Sequence, residues 1–192
     1  PERAEDLCTA IVANTPANVR VELLLVDDHL NPCRRELVEV VDGHGDSVRL
    51  VPSPRAGEGD AQGASRGEAL CERLDAVSIS SCSEFVVVPF GERPPLSGLA
   101  EATRLLFADG ADSVTIVSVP SSPVCAEDSL GVHLGLCGDV SCDRVVIIRR
   151  WVARWLFSEI DRSADRSVEI TDRARLLGLR SLVVDPSGAQ VV

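Results

Sequence analysis

Val21-Glu22-Leu23-Leu24-Leu25-Val26-Asp27-Asp28 is a short apolar run that ends in two adjacent acids. The next residues decide the fold. Asn31-Pro32 is succeeded by Cys33-Arg34-Arg35-Glu36-Leu37-Val38-Glu39-Val40-Val41, and then by Gly43. Asn caps helices, Pro suits the first helical position and Gly ends them. The pattern predicts a strand over 21–26 and a helix over 32–41, with two carboxylates delivered to the strand's C-terminal end. In open α/β sheets that carboxyl edge is where ligands bind.

The same alternation continues in both directions. Residues 2–13 set Ala4, Leu7, Cys8, Ile11 and Val12 on one helical face. Ser47–Val51 reads as a strand stopped by Pro52 and Pro54. Residues 52–63 are the clearest loop, rich in Gly, Pro and Ala, and a helix is expected near 62–76. Phe85–Val88 reads as a strand ended by Pro89. A helix over 98–108, capped by Ser97, would carry Leu99, Leu105 and Leu106. Val114–Val119 and Val145–Ile148 read as strands. Helices are expected over 151–160 and over 168–177, the latter closed by Gly178. Leu182–Val184 and Gln190–Val192 are strand-like. Strands alternating with helices imply an α/β sheet layered by helices. No internal repeat or linker divides the 192 residues, so one domain over 1–192 is expected.

Composition narrows the function classes. Hydrophobic residues make up 45% of the chain and the net charge is −11. Such a chain is neither disordered nor a partner for a nucleic-acid duplex, which needs clustered cations. No apolar stretch approaches the ~20 residues of a transmembrane helix, and the acidic charge argues against contact with an anionic membrane. All 19 cations are Arg. The seven cysteines, at 8, 33, 71, 82, 125, 137 and 142, form no C-x-x-C pair. They read as free thiols in a reducing cytoplasm, not as a disulfide framework or zinc site.

Other features read as structural. His29 and His44 fall in turns, and His133 stands alone in an apolar stretch. Gly57-Glu58-Gly59 lacks the strand, Lys and helix of a phosphate loop. Arg149-Arg150 reads as a solvated pair or an anion site. Trp151 and Trp155, four apart, read as core. Asp161, Asp165 and Asp172 read as helix-surface charge.

Several strings, taken in order, resemble the family 2 glycosyltransferases of the GT-A fold. Leu7–Asp28, with Ile11-Val12-Ala13-Asn14-Thr15-Pro16, is similar to that family's first helix and second strand. Ala64-Ser65-Arg66-Gly67-Glu68-Ala69-Leu70 resembles its "ARN-x-G" helix start. Val168-Glu169-Ile170-Thr171-Asp172-Arg173-Ala174-Arg175-Leu176-Leu177-Gly178 resembles its "VDL-x-x-RA-x-x-G" helix, and Leu182-Val183-Val184-Asp185-Pro186 the strand after it. The resemblance implies a GT-A-like (Rossmann-like) mixed sheet, mostly parallel, with helices on both faces. It also implies that the family's first strand is missing from the front of this chain. Asp27 and Asp28 would contact the base of a nucleotide-sugar donor, and Arg66 would join them in binding the nucleotide.

Two departures weigh against ordinary chemistry. The family's Asp-x-Asp motif would fall on Pro89-Phe90-Gly91. In active members those acids hold Mg²⁺ or Mn²⁺ against the donor diphosphate, because a leaving diphosphate needs its charge neutralised by a hard cation with oxygen ligands. Only Glu92 remains nearby as a metal ligand. The family's catalytic Glu-Asp pair would fall on Arg166-Ser167, neither of which is a base at neutral pH.

The reading is a glycosyltransferase-like domain that keeps a nucleotide-sugar scaffold, is impaired in catalysis, and serves as a binding or scaffolding module for a protein partner or fused domain. The alternative is an active, metal-independent sugar transferase, with Arg93 or Arg149 on the diphosphate and Glu169 or Glu92 as base. A third reading is a nucleotidyltransferase-like relative.

Overall fold

A computed structural model describes residues 2–20, 22–27, 34–44, 48–52, 74–90, 93–118, 143–157, 166–187 and 189. In chain order the elements are helix α1 (Glu2–Asn14), strand β1 (Leu23–Asp27), helix α2 (Arg34–His44), strand β2 (Val48–Pro52) and helix α3 (74–80). Strand β3 (Phe85–Phe90), a 3₁₀ turn (Leu96–Gly98), helix α4 (Leu99–Ala108) and strand β4 (Ser113–Val117) come next. Strand β5 (Arg144–Arg149), helix α5 (Arg150–Phe157), helix α6 (Arg166–Leu176) and strand β6 (Ser181–Val184) complete the order. Within α2, Val40 is buried while Val38 and Glu39 are exposed, as an amphipathic helix requires.

The strands form two sheets: a parallel pair β1–β2, and a four-stranded sheet in the order β3-β5-β4-β6. β5 runs antiparallel to both β3 and β4, whereas β4 and β6 are parallel. The four-stranded sheet is therefore mixed, with two antiparallel ladders and one parallel ladder. The expectation of a mostly parallel sheet is not met there. Val145–Ile148 is apolar at every position, and a continuous apolar run carries no information on strand direction.

Alternate side chains of β5 feed two cores. Val145 and Ile147 pack with Val114 and Ile116 of β4, with Leu99, Leu105 and Leu106 of α4, and with Cys8 and Ile11 of α1. Val146 and Ile148 pack with Val86 of β3, with Val152 and Leu156 of α5, and with Ile170 of α6. Helices thus cover both faces of this sheet, and β5, buried on both sides, is its keystone. A fully buried Ile or Leu in either core contributes about 1.5–3 kcal/mol. The first core also takes in Leu23 of β1 and Val48 of β2, so the two sheets share one apolar interior.

Local chemistry explains the element ends that differ from expectation. β3 runs through Pro89, which pairs with Val145, and continues to Phe90. Among the described residues β3 is an edge strand, where a missing N–H is tolerated. α4 is preceded by a 3₁₀ turn, and its N-cap is Gly98 with no side-chain cap, so Ser97 does not cap it. A Cβ on Gly98 would lie 2.9 Å from Ile116 Cγ2 and 3.0 Å from Pro186 Cα, so only glycine lets this turn approach the sheet. Gly178 closes α6 as expected. Its φ is +62°, and the N–H groups of Gly178 and Leu179 donate to the carbonyls of Arg175 and Ala174.

Trp151 and Trp155 are not core. They are 55% and 42% exposed, while Val152, Ala153, Leu156 and Phe157 fill the buried face of α5. Residues 62–73, 158–165 and 190–192, with His29 and His133, lie outside the described residues. Among the described residues no helix is long and apolar enough to cross a membrane.

Candidate functional site at the carboxyl edge

Glu22, just before β1, forms an ion pair with Arg49 of β2. Its carboxylate also accepts from the Cys82 N–H at 3.4 Å, and Arg49 Nη2 donates to the Ser80 carbonyl at 2.9 Å. These contacts gather the starts of β1, β2 and β3 at one edge of the molecule. The strands end at Asp27, Pro52 and Phe90. In the four-stranded sheet, Phe90 and Val117 both lie in register with Arg144, and Ile116 with Val184. The carboxyl ends of β3, β4 and β6 thus meet the start of β5.

Asp27 is the last residue of β1, in register with Pro52. Asp28, Arg66, Gly91 and Glu92 lie outside the described residues. Arg93 is exposed just beyond the carboxyl edge, and its backbone N–H donates to Asp143 Oδ1 at 3.2 Å. Asp143 immediately precedes β5, so this contact ties the two segments that leave the edge. Glu169 stands in the first turn of α6, and Arg166-Ser167 open that helix. The side chain of Glu169 lies outside the described residues.

Arg149 is at the opposite edge. It closes β5 in register with Phe85, the first residue of β3. Its Nε donates to the Ala111 carbonyl at 3.1 Å, Nη2 to the Leu106 carbonyl at 3.0 Å and Nη1 to Glu84 at 2.9 Å. The guanidinium also lies 5.2 Å from the Phe85 ring centroid. Its partners join the end of α4 to the starts of β3 and β4. Arg150 donates to the Ser81 carbonyl at 3.0 Å, so the pair is anchored to backbone and not merely solvated. Five strand steps separate the two edges, about 17 Å. Arg93 and Arg149 are not brought together on one diphosphate.

The residue that sequence reasoning missed is Arg144. It is 3% exposed, and its guanidinium lies 4.7 Å from the centroid of Phe90. Its Nε is buried and makes no hydrogen bond of its own, while the residue has a further interaction. The signal was available: an Arg opening an apolar run two residues after Cys142 marks the start of a strand. What a linear reading lacks is the pairing that lays it on Phe90.

A divalent cation does not fit the described residues of this edge. The Phe90 ring at the end of β3 offers no oxygen, and the adjacent guanidinium repels a second cation. Among the described residues no three His, Cys, Asp or Glu side chains come together as ligands. The Phe90 ring face holds the buried Arg144 guanidinium in orientation at this edge.

No protein-family model matches the chain, and no curated protein matches it.

Proposed function

We propose that the chain is a glycosyltransferase-like domain that binds a nucleotide-sugar or its nucleotide and is impaired in catalysis. It would act in the cytoplasm as a binding or scaffolding module for a protein partner or fused domain. One observation carries this reading: where the resemblance expects metal-holding acids, the strand end presents Phe90 with the Arg144 guanidinium against it. The base position, Arg166-Ser167 at the start of α6, supplies no carboxylate. A scaffold that keeps its sheet and loses both metal site and base is suited to holding a ligand, not to transferring it.

The position of Arg144 also favours a second reading, the metal-independent transferase. A buried cation at the carboxyl edge, with Arg93 beside it, could neutralise a leaving diphosphate without a metal. Asp27 and Asp28 would then read the base, with Arg66 on the nucleotide, and Glu169 or Glu92 would be the base.

Calorimetric titration with UDP- and GDP-sugars and their free nucleotides, with and without Mn²⁺, tests both. Metal-independent binding without donor turnover is the expected result. Metal-independent binding with turnover that Glu169→Gln abolishes would establish the second reading. No binding across the panel would overturn both.

A further inference from the structure

We draw no further inference here: the strongest candidate, the exposed face of α5 formed by Trp151, Arg154 and Trp155 beside Arg173 of α6, carries nothing because nothing in the structure shows what covers it.

Discussion

β5 carries an arginine at each end, and each lies over the phenylalanine it faces across the β3 ladder: Arg149 on Phe85 and Arg144 on Phe90. The two pairs look alike, and their surroundings give them different work. Arg149 gathers the carbonyls of Leu106 and Ala111 and the carboxylate of Glu84, so it clamps a helix end to strand ends. Arg144 is a buried positive charge at the edge where β3, β4 and β6 terminate. A cation whose donors face backbone carbonyls is part of the frame; under the proposed function, the one at the carboxyl edge would meet the phosphates of a nucleotide.

Substitution separates the two roles. The largest expected effect is that of Arg149→Met, which strands two backbone carbonyls and should cost about 2–4 kcal/mol in urea unfolding. If that variant is as stable as the parent, the clamp does not exist. Arg144→Met should be read on ligand instead. Affinity for a nucleoside diphosphate should fall about tenfold or more, the value of one charge-assisted hydrogen bond, and Mn²⁺ should not restore it. Unchanged affinity would erase the distinction between the two edges. Gly98→Ala tests the packing behind the carboxyl edge. Its Cβ would press on Ile116 and Pro186, for a loss of about 1–3 kcal/mol.

The smallest effect lies away from both edges. Burial pushes the Asp75 carboxyl above the usual carboxylate range, with partial relief from Arg154. Its charge therefore weighs against folding above the folded-state pKa and has no influence below the unfolded-state value. Asp75→Asn should raise the unfolding midpoint slightly at pH 7, and the gain should vanish as the pH falls through the carboxylate range. A gain that instead grew in acid would reverse the sign of this assignment.

Much of the frame was legible because it rests on local chemistry. Cys8 and Ile11 of α1, the Gly178 stop and the apolar runs of β1 and β5 stand where the sequence pattern puts them, whereas Val12 is 52% exposed and β4 ends at Val117, short of the expected Val119. Strand direction was not legible, since Val145–Ile148 reads the same either way. Pro89 misled because its meaning depends on whether a strand is an edge. The tryptophans misled because helical spacing shows that two residues share a face, not which face the core takes. The candidate site was legible only as a place, the end of an apolar strand. The meeting of Phe90 with Arg144 is a product of pairing between segments more than fifty residues apart in the chain.

The strand order β3-β5-β4-β6 has a consequence for how the protein is made. β1 and β2 are near in sequence and can pair, with α2 between them, as soon as residue 52 has left the ribosome. The larger sheet has to wait. β3 and β4 are not neighbours, and the strand that joins them begins only at Arg144. During synthesis at about 5–20 residues per second, Phe85–Phe90 would spend several seconds without its native partner. That apolar segment would then be open to chaperones, and to mispairing with another nascent chain.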